Sequence, residues 1–156
     1  MPTTFEITTE SSASAAALCD VSLDIDLHVA SMADSGERAI AGVTSGRIGL
    51  GESVTWRARH FAVWFTMTSR ITELDHPRRF VDEQVTGPFR SFRHVHEFHH
   101  TAEGCRMVDT ITVASPVFGV LAERLVLVPY LRRLIRERNR TLLAAVGDRG
   151  PGTMSG

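Results

Sequence analysis

Four of the chain's seven histidines fall in the nine residues "FRHVHEFHH", Phe92 to His100. Imidazole titrates near neutrality and is a common metal ligand, so such a cluster could move protons, hold a metal ion or orient a bound molecule. His94 and His96 are two apart, which on a strand places both side chains on one face. His99 and His100 cannot share a face of that strand. Phe92 and Phe98 fix the parity and carry His94 and His96 inward with them, leaving Arg93, Val95, Glu97 and His99 outside.

The same sorting applies to the neighbouring runs. In "VTWRARHF" the inner set is Val54, Trp56, Ala58 and His60, and in "FTMTSRI" it is Phe65, Met67, Ser69 and Ile71. In "CRMVDTITV", Met107, Ile111 and Val113 carry Asp109 inward. "RFVDEQV" is ambiguous: either Phe80, Asp82 and Gln84 or Val81, Glu83 and Val85 could be the inner set. The apolar face therefore holds His60, His94, His96 and Asp109, joined by Asp82 and Gln84 if Phe80 sets the parity. Burying that many polar groups without partners would cost roughly 1–3 kcal/mol each. Either they satisfy one another in a core that takes no ligand, or they border a cavity; a concave sheet closed by a helix favours the cavity. His94, His96 and Asp109 are the candidate acid–base residues, with an aspartate to orient the imidazole.

No metal is expected. His60, His94 and His96 with Asp82 or Asp109 could supply enough ligands for zinc or iron. In metal-binding cupins, however, a glutamate follows the second histidine of the HxH pair by four or five residues, where this chain has His100 and Thr101. No other cofactor is expected either. "GVTSGRIGLG" has neither a GK[ST] ending nor GxGxxG spacing, so it reads as a flexible connection at the cavity mouth and not as a nucleotide loop.

Several elements must position these groups. "FEITTE" alternates as a first strand, and Ser14 to Met32 carries apolar residues at helical spacing, with a break expected near Ser22 to Asp26. Glu37 to Ala114 has period two with recurrent turn signals, which predicts about six further strands. Ser115 and Pro116 offer a helix start, and a helical pattern runs to about Val146. Its apolar arc, including Leu121, Leu125 and Val128, should face the sheet and contribute to ligand binding. Pro129 lacks the amide that would bond Leu125, a defect of about 3 kcal/mol in an unrelieved helix, so a kink is expected there. The basic run "RRLIRERNR" reads as a solvated helix end more readily than as a membrane or acidic-partner surface. This order is α+β: one domain over 1–146 with a flexible tail over 147–156.

Composition narrows the function. The chain has 156 residues, 43% hydrophobic, with a formal net charge of -1, which suits one globular domain and argues against nucleic acid as a partner. All 17 basic residues are arginine, so Schiff-base lysine chemistry and a P-loop are excluded. Cys19 and Cys105 form neither a disulfide framework nor a CxxC motif. With no apolar run long enough to span a bilayer and no signal-like start, the expectation is a cytoplasmic protein without stable membrane insertion. A homodimer is left open.

The order of elements, with "SGERAIAGVTSGRIGLGESVTWRARHF" and "FVDEQVTGPFRSFRHVHEF", resembles the SRPBCC superfamily, which includes START domains, polyketide cyclases and dehydrases, and birch-pollen-allergen-like proteins, and in particular a bacterial branch of it. The resemblance covers residues 5 to 146. It implies a helix-grip fold: a curved antiparallel sheet of about seven strands wrapped around a long C-terminal helix, with a hydrophobic cavity between. It also implies binding of a lipid, polyketide, quinone-like or similar molecule, and in some members cyclisation, dehydration or hydrolysis, with no catalytic residue shared across the superfamily. The leading expectation is a hydrophobic small molecule as partner. In this reading Trp56, His60, Phe65, Met67, Asp82, Gln84, Phe92, His94, His96, Met107 and Asp109 meet it from the sheet. The alternatives are a cyclase or dehydratase using the cavity histidines, and a protein-interaction module using a sheet edge or the arginine-rich helix end. The loop from Thr44 to Glu52 is the expected gate, moving against Phe118 to Leu125.

Overall fold

Alternating apolar and polar residues produce seven strands: β1 (Thr3–Ser11), β2 (Arg38–Gly42), β3 (Ser53–His60), β4 (Val63–Asp75), β5 (Arg79–Thr86), β6 (Ser91–Thr101) and β7 (Gly104–Ala114). They form one antiparallel sheet in the order β1-β7-β6-β5-β4-β3-β2, so the first strand lies beside the last and the chain meanders to the opposite edge. The computed structural model describes residues 2–115 and 122–147. Register shifts in the β2–β3 and β4–β5 pairings mark bulges, which bend and twist a sheet toward curvature. Gly42 ends β2 with φ 72°, and a Cβ there would stand 2.2 Å from the Ser53 carbonyl oxygen, so only glycine lets β2 lie this close to β3.

Between β1 and β2 the chain forms two short helices, α1 (Ala15–Ser22) and α2 (Ile25–Ser31). The break falls where capping residues are dense. The Ser14 side chain accepts a hydrogen bond from the Ala17 amide, and Asp24 accepts one from Leu27, so each helix begins on its own cap. Leu18, Cys19, Leu23 and Ile25 from this pair pack with Val54, Ile71, Phe80, Phe98 and Met107 of the sheet.

The last helix differs from a plain α-helix at its start. A π-helical turn, Glu123–Leu127, leads into α3 (Val128–Ala145). Pro129 has no amide, and its ring would strike the Leu125 carbonyl; one wider turn just before it relieves both problems. The expected kink thus takes the form of a π turn. Inserting it advances the helical phase, so Leu127 faces the cavity while Leu125 is 67% exposed. The expectation that Leu125 faces the sheet is therefore corrected. Pro116 to Leu121, including the expected contact residue Leu121 and the start of the expected helix, lie outside the described residues, as does the tail from 148 onward.

The Thr44–Glu52 loop is tied down more firmly than its glycines suggest. Ile25 donates to the Gly46 carbonyl and Ile48 to that of Leu23, while Gly51 donates to Ile71 of β4, whose own amide donates to Glu52. Ile48 is buried.

Candidate functional site

A cavity of about 460 Å³ lies between the concave face of the sheet, the α1–α2 pair and α3. Its walls are mainly apolar and aromatic: Trp56, Phe65, Met67, Phe80 and Phe92 from the strands, and Leu127, Leu131 and Leu134 from the last helix. Two polar clusters interrupt them, one buried and one nearer the surface.

The buried cluster follows from strand register. Phe80 pairs with His96, Asp82 with His94, and His96 with Asp109, so these groups sit together across β5, β6 and β7. The hydrogen bonds run along the diagonals. His94 Nε2 lies 2.7 Å from Asp109 Oδ1 and His96 Nε2 lies 2.6 Å from Asp82 Oδ2. The imidazoles stack on each other at 3.6 Å between centroids, and Phe80 continues the stack on His96 at 4.0 Å. From α3, Arg138 directs Nη1 at Asp109 and Asn139, and Nη2 at His96 Nδ1 at 3.4 Å. Asn139 donates to Asp109 Oδ2 at 2.9 Å and to Thr9. Among the described residues, no buried side-chain nitrogen or oxygen lacks a partner.

These contacts set the charges. Burial alone would raise the Asp109 pKa, but hydrogen bonds with His94 and His96 and the Arg138 charge reverse this and hold it well below the usual carboxylate range. Asp82 is likewise lowered: burial would raise it, but the His96 hydrogen bond together with the electrostatic influence of His96, His94 and Arg138 outweighs that desolvation. Burial, reinforced by the neighbouring His96, pushes His94 down to about 4 despite its carboxylate partner. His94 is therefore a neutral imidazole at neutral pH. If Nε2 holds the proton for Asp109, Nδ1 carries the lone pair, and the ring borders the cavity. A neutral base oriented by a buried carboxylate can accept a hydrogen bond or a proton from a bound molecule, with Asp109 stabilising the imidazolium.

The second cluster lies around the β3–β4 turn. His60 Nδ1 is 2.6 Å from the Tyr130 hydroxyl, and His28 Nε2 is 2.6 Å from Glu37 Oε1 with its ring against Trp56. Burial lowers the His60 pKa. Phe61 and Ala62 form the two-residue turn with φ 51° and 63°, values unusual for residues other than glycine. That turn holds Phe61, 61% exposed, against the Tyr130 ring.

The structure separates the expected site residues. Trp56, His60, Phe65, Met67, Asp82, Phe92, His94 and His96 line the cavity. Asp109 and Met107 stand behind the wall, fully buried. Gln84 is spent on the β5–β6 turn, where its amide both donates to and accepts from Phe89, so it does not line the cavity. Val128 also misses the cavity and packs beside Phe5, Ile7 and Ile135. The β5 ambiguity has a physical source: Phe80 faces the cavity, while Val81 is equally buried on the opposite face, paired with Val95 among Arg79, Glu73 and Arg93. Arg138, Asn139, Tyr130, His28 and Glu37 are additions that the alternation of the strands does not supply. Arg138 continues the spacing of Leu131, Leu134 and Ile135, so an arginine on the apolar stripe is the available signal, and the expectation of a wholly solvated basic end is corrected by its burial.

Asp82, His94 and His96 offer ligand atoms within 4.8 Å of one another, a spacing that could hold a metal ion. The Nε2 atoms are instead paired with carboxylates, and Arg138 already brings a positive charge to His96 Nδ1. A divalent cation held by all three residues would have to displace a bond at His96, both of whose ring nitrogens are engaged, beside a guanidinium. Elemental analysis of protein purified without added metal is accordingly expected to show zinc and iron far below stoichiometric.

No family model and no curated protein matches the sequence. Solved structures do match the fold. The Zhui aromatase/cyclase from Streptomyces sp. R1128 superposes with TM-score 0.74 at 16% identity, covering 94% of each chain. Ara h 8.0201 gives TM-score 0.72 at 12% identity, covering 94% of this chain and 98% of its own. A protein from Thermus thermophilus gives 0.69 at 20% identity, covering 93% and 99%. The chain therefore has the helix-grip fold, and the resemblance to the START, polyketide cyclase and birch-pollen-allergen-like superfamily holds at the level of fold. No helix among the described residues is long and apolar enough to cross a membrane.

Proposed function

We propose that this helix-grip chain binds a hydrophobic small molecule, such as a lipid, polyketide or quinone-like compound, inside the cavity. The observation that carries this reading is the cavity itself: about 460 Å³ lined mainly by aromatic and aliphatic side chains, with polar groups gathered at defined points. Those polar groups are already paired with one another, so they can fix a ligand's orientation without depending on it for their own hydrogen bonds. A reducing cytosolic setting fits the two free, buried cysteines.

The test is direct. Native mass spectrometry with organic extraction of the purified protein should reveal a co-purified apolar compound. Adding that compound back to stripped protein should raise the melting temperature in a concentration-dependent way, since a ligand of the folded state stabilises it by mass action. It should also perturb Trp56 fluorescence, best read in a Trp64→Phe background because Trp64 is half-exposed outside the cavity. A stripped protein with no thermal response to any extracted compound would remove this reading.

A second reading is favoured by the Asp109–His94 pair. A neutral imidazole at the cavity wall, oriented by a buried carboxylate, could move a proton on a bound carbonyl compound in a cyclase or dehydratase reaction. One structural neighbour bears the name aromatase/cyclase. In that case His94→Ala should lose turnover while retaining binding.

A further inference from the structure

We infer that the cavity selects molecules presenting an uncharged hydrogen-bond donor, an alcohol or phenol hydroxyl on an apolar frame, and rejects carboxylate amphiphiles of the same size. The inference deepens the ligand-binding reading and rests on it. It comes from the sign of the charges on the wall. Asp24, Glu37 and Asp82 line the cavity, against Arg138 as its only arginine among the described residues. In the buried cluster, Asp82 and Asp109 contribute two negative charges and Arg138 one positive, a sum of -1; one added proton brings it to zero. The cluster is therefore not a site for an anion.

Arg138 could reverse this only if its guanidinium were free to meet a ligand. It is not: its donors point at Asp109, Asn139 and His96, and its side chain is 4% exposed. Asp82 is the open member. Its side chain is 21% exposed, and His96 occupies only Oδ2, so Oδ1 remains an acceptor on the wall. The His94 ring, which also borders the cavity, presents a second acceptor when its proton is committed to Asp109. A ligand hydroxyl donating to Asp82 would complete this arrangement. A carboxylate there would lose its hydration and face a like charge, and both effects oppose its binding.

Three compounds on one frame test this in the wild-type protein near neutral pH: a phenanthrol, the phenanthrene carboxylate substituted at the same position, and phenanthrene itself, titrated by calorimetry and by Trp56 fluorescence. The phenanthrol should bind at least about tenfold more tightly than the carboxylate, and more tightly than phenanthrene. Asp82→Asn should shrink the phenol-to-carboxylate ratio, chiefly by strengthening the carboxylate. Equal affinity of phenol and carboxylate in the wild type would overturn the charge argument, and equal affinity of phenol and phenanthrene would overturn donor selection, with cavity binding intact in both cases. Failure of all three compounds to bind would remove the cavity reading together with the inference. The wild-type comparison stands even if Asp82→Asn does not fold.

Discussion

Asp109→Ala should destabilise the fold by about 3–5 kcal/mol, the usual cost of removing one partner from a buried ion pair. Asp109 is fully buried and accepts from His94, Asn139 and Arg138. Alanine would leave the Arg138 guanidinium buried without its carboxylate and strand donors on His94 and Asn139. The loss is thus dominated by orphaned partners more than by the missing attraction. Urea denaturation should show a large drop in midpoint at an unchanged slope. Asp109→Asn keeps the shape and one acceptor oxygen, so it should lose less. The double variant Asp109→Ala/Arg138→Met should recover part of the deficit, because it removes the stranded charge along with its partner. If Asp109→Ala alone cost under about 1 kcal/mol, the buried cluster would not be organising the sheet and helix as described.

The cluster shows how far a sequence read by alternation can reach. Phe92, Phe98, Met107 and Ile111 fix strand parity, and parity suffices to place His94, His96 and Asp109 on one face, because side chains on a strand have only two sides to choose between. That logic weakens where both sides are buried, as at Phe80 and Val81, and it fails where a residue is recruited by a turn, as Gln84 is by Phe89. Helical phase is more fragile. A single π turn ahead of Pro129 shifts the helical phase, and Leu125, which lies within that turn, points to solvent although its spacing to Val128 and Leu131 reads as apolar. Arg138 is hard to read because an arginine within a basic run looks solvated. Its burial depends on two aspartates and two histidines contributed by three strands, and that convergence is tertiary. The fold was legible from patterns within elements; the charge balance of the site was not, since it is set between elements.

That charge balance should also make the protein acid-labile, beginning above the ordinary carboxylate range. His94 has its pKa depressed from 6.5 to about 4 in the folded state, principally by burial. Between those values the unfolded chain takes up a proton that the folded chain refuses, so stability must fall as pH falls. The contribution is flat above 6.5, declines by about 1.4 kcal/mol per pH unit below it, and reaches a total of roughly 3 kcal/mol near 4. Asp109 and Asp82 act in a second window. Their pKa values are lowered on folding, so the stability they lend is present above the usual carboxylate value of 3.8 and is lost as pH drops through their folded values. His60, lowered by burial, adds to the first window with the same sign. Chemical denaturation across pH should therefore show a decline between neutrality and the His94 value, then a steeper one below it. His94→Gln would remove the titrating ring and should flatten the first decline relative to wild type, whatever its effect on absolute stability. An unchanged slope in that variant would mean that His94 does not carry the proton linkage, and that it titrates in the folded protein much as it does in the unfolded chain.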